Sequence, residues 1–397
     1  PRGGLVTVDL DFSTEQRDFR AEVRTWLAEH KPTTPRPSGE AGIRAYDTGW
    51  QRTQYEGGWA GISWPKEYGG RGLSLLEQLI WYEEYGRAGL PSIDSTFVGL
   101  NHAGPTLIQC ATPEQKAAHL PPILRGDTLW CQGFSEPGAG SDLASLRTRA
   151  VIDGDYLVVS GQKIWTSSAF VADWQELLVR TDPGASKHRG ITWVICDMHS
   201  PGIDVRPIES MDGEREFCEV FYDEVRIPLS NVLGQLNDGW RVAMSTLSFE
   251  RGTAFTAGQV RLASTVEHLI DLAGQRPDPL ARGTAMADES LAVRLATARA
   301  EVAALRAMTY AVISRGVRYE TPGPEGSIVK LYFSEIEKRV ARLSMDLLGP
   351  DSLRFVSKWL PGGWSGDYLR SYASSIGGGT SEIQRNIIGE RVLGLPR

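Results

Sequence analysis

The sequence is poor in cysteine, with four in 397 residues. They are scattered and form no CxxC pair, and the six histidines lack the spacing of metal ligands. The sequence therefore predicts neither a disulfide framework nor a bound metal ion. Scattered, unpaired cysteines suit a reducing compartment, so we expect a cytoplasmic protein. The cysteines are Cys110, Cys131, Cys196 and Cys218.

Two further absences narrow the class of function. Acidic residues outnumber basic ones by 49 to 42, which gives a net charge of −7 at pH 7 and argues against a nucleic-acid partner. No run approaches the roughly 18 consecutive apolar residues of a membrane span, and no secretory signal sequence is visible. We therefore expect a soluble protein with no nucleic-acid or membrane partner.

The chain is long enough for two or three domains, and its patterns are helical, then strand-rich, then helical again. Ser13 and Ser74 precede apolar helical patterns and are predicted to begin helices. Short segments rich in β-branched and aromatic residues follow in the middle of the chain, as is typical of strands. Pro- and Gly-rich stretches at 316–326 and 361–366 predict loops. The predicted domains are an N-terminal helical domain (1–128), a central β-domain (129–236) and a C-terminal helical bundle (237–397).

The most specific segment spans residues 130–168. It contains a loop of small residues at 138–140, followed by Ser141, and later a strand pair that ends in KIWTS at 163–167. A loop of Gly and Ala lets the backbone approach a flat ring closely. The two segments, in this order, resemble the flavin-binding middle domain of the acyl-CoA dehydrogenase family. Further family landmarks follow the same order, at 112–127, 221–240 and 379–394, so the resemblance covers nearly the whole chain.

The resemblance implies both the fold and the cofactor. The fold is α+β, with an N-terminal helical domain, a central β-domain and a C-terminal four-helix bundle, and the cofactor is FAD. In this family the Trp165 position covers the flavin, and the Ser167 position donates its hydroxyl towards flavin N5. The residues implied around the cofactor are Phe134, Ser135, Gly140, Ser141, Trp165, Thr166, Ser167, Arg276, Thr380 and Glu382. The residues implied at the substrate are Ser141, Arg251 and Gly377.

The general base is where the sequence departs from many family members. Removal of the α-proton of a thioester needs a base within hydrogen-bond reach of the α-carbon. In many members this base is the Glu of a Tyr-Glu-Gly-Thr turn, but here residues 377–380 are GGGT. In the isovaleryl-type and long-chain-type members the Glu precedes an Arg on a helix, as Glu250 precedes Arg251 here. We predict Glu250 as the base, and the alternative is a helix-surface Glu paired with an Arg.

The glycine turn has two implied consequences. The backbone N–H of Gly378 is retained, and in the family this N–H holds the thioester oxygen, a role that needs no side chain. The loss of two large side chains also widens the pocket wall. We therefore expect a branched or ring-bearing acyl group rather than a slim straight chain, although a flexible turn with no influence on the substrate is the alternative.

The adenosine side of the implied cofactor site departs further from the family. The usual Arg-x-x-Phe-Gly is RPDPL at 276–280, and the usual Gln-x-x-Gly-Gly is DLLGP at 346–350. The family Arg reaches the pyrophosphate of a neighbouring subunit, and the retained Arg276 is compatible with a homotetramer. The lost motifs instead favour an α2β2 complex with a homologous partner subunit, as in the heterotetrameric members that degrade steroid side chains in actinobacteria.

The resemblance thus implies FAD-dependent α,β-dehydrogenation of an acyl-CoA to the trans-2-enoyl-CoA. The acyl group is expected to be bulky, with a steroid side chain as the most specific candidate, and the electron acceptor to be an electron-transfer flavoprotein. Three alternatives stay open: an acyl-CoA oxidase, a nitroalkane-oxidase-like enzyme, and a non-catalytic subunit that stabilises an active partner.

Overall fold

The chain divides into two compact units that alternate along the sequence. The helical unit comprises Pro1–Lys31, Ser74–Leu90 and Arg251–Arg397, and the β-unit comprises Pro32–Leu73 and Pro91–Glu250. The computed structural model describes residues 12–37, 40–90, 94–249, 256–278, 280, 283–319, 323–357 and 362–396.

Helices dominate both ends of the chain, and none of those in the described ranges is long and apolar enough to cross a membrane. In chain order they are α1 (Thr14–His30), α2 (Glu40–Glu56), α3 (Leu75–Arg87), α4 (Asp94–Phe97), α5 (Gly104–Cys110), α6 (Pro113–Arg125), α7 (Gly239–Phe249), α8 (Thr256–Gln275), α9 (Glu289–Tyr319), α10 (Gly326–Leu348), α11 (Trp364–Ser374) and α12 (Ser381–Ile387). The strands are β1 (Trp130–Gly133), β2 (Arg149–Asp153), β3 (Tyr156–Ser167), β4 (Trp174–Arg180), β5 (Ile191–Asp197), β6 (Ile203–Ile208) and β7 (Phe217–Pro228).

The helical unit is built around α8, α9 and α10. Apolar residues of α8 and α10 recur at intervals of four, three and four, so each helix buries one stripe of its surface. The two stripes and the facing residues of α9 form one core. Its members include Leu262, Val266, Leu269 and Ala273 of α8, Leu295, Val302 and Leu305 of α9, and Ile336, Val340, Leu343 and Leu347 of α10.

The β-unit contains the sheet. Among the described residues it has seven strands, in the order β1-β4-β2-β3-β7-β6, with β5 paired to β4. The long strands β3 and β7 run antiparallel and are neighbours in this order. Their pairing shifts register between Lys163 and Thr166, where Lys163 faces Val220 but Thr166 faces Cys218. This bulge lies within the KIWTS segment and changes the direction of its side chains.

Candidate active site

The loop after β1 carries two exposed glycines, Gly138 and Gly140. Two backbone hydrogen bonds join Glu136 and Ala139, with N···O distances of 3.1 and 3.0 Å, and close a tight turn. A Cβ atom added to Gly138 or Gly140 would meet no atom within 4 Å, and neither residue has a positive φ. Neither the backbone conformation nor the packing of the chain therefore requires glycine there. Bare glycines that the fold does not need fit a flat ring laid against the backbone.

The end of β3 carries the strained residues of this region. Trp165 has a φ of 61° and Ser168 a φ of 57°, in the left-handed region that such residues rarely adopt. The register shift turns the Trp165 side chain outward, and it is 56% exposed. The Thr166 hydroxyl is buried without a hydrogen-bond partner among the described residues. Strained backbone and an outward-facing indole are features that cluster at binding sites.

Three hydrogen bonds join this strand end to the loop. The N–H of Ile164 donates to the carbonyl of Ser135 at 3.0 Å. The ammonium of Lys163 donates to the carbonyl of Phe134 at 3.0 Å and to the carboxylate of Glu136 at 2.8 Å. The predicted flavin residues of the β-unit are thus brought together: Phe134, Ser135, Gly140 and Ser141 lie on or beside the loop, and Trp165, Thr166 and Ser167 lie on the strand end.

Lys163 and Glu136 form a buried ion pair. Burial lowers the pKa of the Lys163 ammonium to about 8, although the Glu136 carboxylate opposes this shift. Burial alone would raise the pKa of Glu136, but the Lys163 charge and hydrogen bonds from Lys163 and Thr148 outweigh it, so this pKa lies below its ordinary value. The Glu136 carboxylate is therefore charged at neutral pH, and its charge opposes deprotonation of the Lys163 ammonium.

Neither Lys163 nor Glu136 is among the site residues that the sequence indicates. The sequence contained a signal for this buried lysine. Lys163 has the same two-residue periodicity as Leu157 and Val159, which are inward-facing residues of β3. A lysine in phase with two core residues needs a buried acceptor.

Side-chain hydrogen bonds to backbone carbonyl groups hold the glycine turn (residues 377–380) of the helical unit in place. Gly378 and Gly379 have φ values of 63° and 86°. The Gly378 carbonyl accepts from Gln384 Nε2 at 2.8 Å, and the Gly379 carbonyl accepts from Lys330 Nζ at 2.7 Å. Thr380 caps α12 by accepting from the N–H of Ile383. Gly377 and Gly378 are exposed, and the N–H of Gly378 meets no acceptor in the described part of the chain, so it is available to a ligand.

The other predicted residues of the helical unit lie in different surroundings. Glu382 is exposed in the first turn of α12. Arg276 donates to the carbonyl of Leu348 at 2.8 Å and to the carboxylate of Asp351 at 2.6 Å. Leu280, where the family pattern has Gly, is 71% exposed. Arg276 therefore already has two partners within its own chain.

The predicted base falls outside the described residues, as does Arg251. Helix α7 ends at Phe249, immediately before Glu250, and α8 begins at Thr256. The assignment of Glu250 stays a prediction.

Models of one protein family match most of the chain. The acyl-CoA dehydrogenase N-terminal domain matches residues 13–127, the middle domain 131–225 and the C-terminal domain 237–393. Acyl-CoA dehydrogenase IpdE1 of Mycobacterium tuberculosis (strain ATCC 25618 / H37Rv) is 40% identical over 392 residues, 96% of this chain and 98% of the relative. The chain belongs to the acyl-CoA dehydrogenase family. The predicted α+β fold class, with helical, β and helical domains, is confirmed, whereas the boundaries given above stay a prediction.

Two solved structures that are each named for two components are similar to this chain. The Tcur3481-Tcur3483 steroid ACAD matches with a TM-score of 0.84 and 34% identity, over 98% of this chain and 100% of that chain. The ChsE4-ChsE5 complex from Mycobacterium tuberculosis matches with a TM-score of 0.84 and 34% identity, also over 98% and 100%.

Proposed function

We propose that this chain catalyses FAD-dependent α,β-dehydrogenation of an acyl-CoA thioester to the trans-2-enoyl-CoA. The observation that carries the proposal is the surface of the β-unit formed by Gly138, Gly140 and Trp165. Its glycines serve neither packing nor backbone geometry, and its tryptophan is exposed on a strained backbone. A flat aromatic cofactor accounts for both features.

The β-unit would bind the flavin through this surface. Bound FAD supplies an acceptor for the β-hydride, which no side chain of the protein can provide. Trp165 would cover the ring system, and Phe134, Ser135 and Ser141 would line it from the loop. Ser167 would donate its hydroxyl towards the flavin, since this half-buried hydroxyl has no hydrogen bond to any residue that the structure describes.

Proton removal and carbonyl polarisation would belong to two other positions. Glu250 would take the α-proton, supported by its place directly before Arg251 and by Gly378 where many members carry the carboxylate. The unengaged N–H of Gly378 would hold the thioester oxygen, as a fixed backbone donor does for a developing negative charge. Arg251 would support the ligand or the helix that carries Glu250.

The substrate would be bulky. Gly377 and Gly378 are exposed and leave the turn without side chains, which suits a ring-bearing acyl group. A solved relative is described as a steroid ACAD, and a steroid-derived acyl-CoA is accordingly the candidate substrate here. Electrons would pass to an electron-transfer flavoprotein, and oxygen consumption during turnover would identify an oxidase instead.

A second candidate function is supported by Arg276. The guanidinium of Arg276 is hydrogen-bonded to Leu348 and Asp351. Arg276 would therefore bind the pyrophosphate of FAD in a neighbouring subunit only weakly. The protein would then be one half of an α2β2 complex with a homologous subunit, and in the extreme case a non-catalytic subunit.

Anaerobic mixing with acyl-CoAs tests the proposal. The full chain, alone and with any homologue that co-purifies, should show a flavin spectrum that bleaches on addition of a ring-bearing acyl-CoA. A purified complex without flavin, or flavin that no acyl-CoA reduces, would refute dehydrogenation by this chain.

A further inference from the structure

Lys163 is a completely buried charged side chain whose hydrogen bonds all lead to one loop. Its ammonium contacts the carbonyl of Phe134 and the carboxylate of Glu136, at 3.0 and 2.8 Å. The next residue, Ile164, binds the next carbonyl of the loop, that of Ser135, through its own N–H. Two successive residues of β3 thus hold two successive carbonyls of the loop, one by a side chain and one by the backbone.

Glu136 fixes the same loop from a second direction. Its carboxylate accepts from the backbone N–H groups of Arg147 at 2.6 Å and Thr148 at 2.8 Å. The loop is therefore attached both to β3 and to the segment that leads into β2. These two backbone N–H donors already stabilise the Glu136 carboxylate. The need of this carboxylate for hydrogen-bond donors therefore does not by itself explain why a lysine is buried here.

The position of Lys163 along β3 connects it to the strained residues. It is the last residue of β3 in regular register with β7 before the bulge, and Trp165 follows two residues later with its φ of 61°. Lys163 therefore links the loop to β3 directly before its strained end. A buried ion pair is weak evidence for stability, because apolar residues of similar volume often stabilise a core equally well.

We propose that Lys163 is a positioning residue for the cofactor, which holds the loop at 134–140 against the Trp165–Ser167 end of β3 and so sets the shape of the flavin-binding surface. This inference rests on the proposed function, since it takes both segments to contact FAD. Lys163 is completely buried and presents no atom to a ligand at the surface. Its effect passes through the Phe134 carbonyl and the Glu136 carboxylate.

The test replaces Lys163 by methionine, which has a similar length and no charge and leaves Glu136 its two backbone donors. Three properties are measured on the full chain, with its partner subunit if one co-purifies. They are the urea-unfolding midpoint of the apoprotein, the FAD dissociation constant from quenching of flavin fluorescence, and the absorption spectrum of the bound flavin. We expect K163M to raise the FAD dissociation constant about tenfold or more and to shift the flavin spectrum.

The matched control is Gln115→Met. Gln115 is a buried residue of the same unit, and its side chain donates to the carbonyls of Ser230 and Val232 at 2.8 and 3.0 Å. None of its hydrogen bonds reaches the loop, so Q115M should lower the unfolding midpoint and leave FAD affinity and spectrum unchanged. If K163M does not accumulate as folded protein, K163Q, which keeps an N–H donor without the charge, is measured in the same way.

The outcomes separate the two proposals. Wild-type protein that binds no FAD, alone or in its complex, overturns the proposed function and this inference with it. Wild-type protein that binds FAD, beside a Lys163 variant with the same dissociation constant and spectrum, overturns this inference alone and leaves Lys163 a merely structural role.

Discussion

The carboxylate of Asp351 lies 2.6 Å from the guanidinium of Arg276, within one chain. The family resemblance assigns Arg276 to the pyrophosphate of a cofactor held by a neighbouring subunit. Asp351 is exposed and Arg276 is partly buried, so the arginine already has a negatively charged partner beside it. Both hydrogen bonds of the guanidinium use Nη2, and the Asp351 carboxylate would repel a pyrophosphate that bound to the same guanidinium.

This pairing leads to a prediction about assembly. Expressed alone, the chain should be flavin-poor, and with a homologue that carries the missing motifs it should form an α2β2 tetramer with fewer flavins than subunits. Asp351→Asn should raise the flavin content of the chain expressed alone, by up to about fivefold because an exposed ion pair contributes only ~0–1 kcal/mol. Native mass measurement with flavin counted per chain provides the test. A homotetramer with one FAD in every wild-type subunit would contradict it.

The second prediction concerns the base. Glu250→Gln should leave folding and flavin content unchanged and slow flavin reduction by about 10²–10⁴-fold, the usual contribution of a positioned base. Stopped-flow reduction by a good substrate measures this. The control is Glu267→Gln, which removes an exposed glutamate of α8 that pairs with Arg299 at 2.7 Å. In this variant the flavin should be reduced at the wild-type rate. Near wild-type reduction by E250Q would exclude Glu250 as the base.

Short sequence patterns correctly predicted where some helices begin. Ser13 and Ser74 begin α1 and α3 through capping boxes, as the sequence indicates. Gly316 was predicted to lie in a loop but is within α9. Its lack of a side chain serves close packing instead, because a Cβ there would be 3.0 Å from Leu75 Cδ1 of α3. A composition rule cannot distinguish a glycine that ends a helix from one that lets two helices approach.

The candidate flavin site could be predicted only where its residues lie close together in the sequence. The loop and the Trp165 segment were found because each lies within a few residues. The bulge that exposes Trp165 depends on pairing with β7, and Cys218 is some fifty residues away along the chain. The Arg276–Asp351 pair joins residues separated by 75 positions. Such contacts arise from tertiary packing, which no short pattern records.

The third prediction concerns the hydroxyl of Ser167. Ser167→Ala should change the absorption spectrum of the flavin or its reduction rate and should lower stability little, since one side-chain hydrogen bond contributes only ~1 kcal/mol. Ser160→Ala is the control on the same strand, because the Ser160 hydroxyl accepts from the N–H of Glu224 at 3.3 Å. Identical flavin spectra and reduction rates in S167A and wild type would contradict the assignment.

The fourth prediction concerns acyl selectivity at the glycine turn. Ring-bearing or α-branched acyl-CoAs should have higher kcat/KM than butyryl- or octanoyl-CoA. Gly377→Ala adds a methyl group that the chain accommodates, since its Cβ would lie 3.6 Å from the Ala373 carbonyl. This change should lower kcat/KM about tenfold for bulky substrates, the scale of one methylene in a pocket, and less for straight chains. Equal losses for both classes, or a wild-type preference for short straight chains, would count against a wide pocket.

The last prediction follows from the titration of Glu136. Its pKa in the folded protein lies below the ordinary value of 4.5 because the Lys163 ammonium and the hydrogen bonds from Lys163 and Thr148 outweigh the effect of burial. A carboxyl group with a lowered folded-state pKa stabilises the protein fully above its unfolded-state pKa and loses this contribution as the pH falls through the folded-state value. Urea unfolding of wild type and Glu136→Gln should therefore differ most near pH 7, and the difference should shrink as the pH falls below 4.5. Other carboxylates titrate in the same window, but their contributions cancel in the difference between the two proteins. A difference that stays constant or grows towards acid pH would show that Glu136 is not held in its charged form by Lys163.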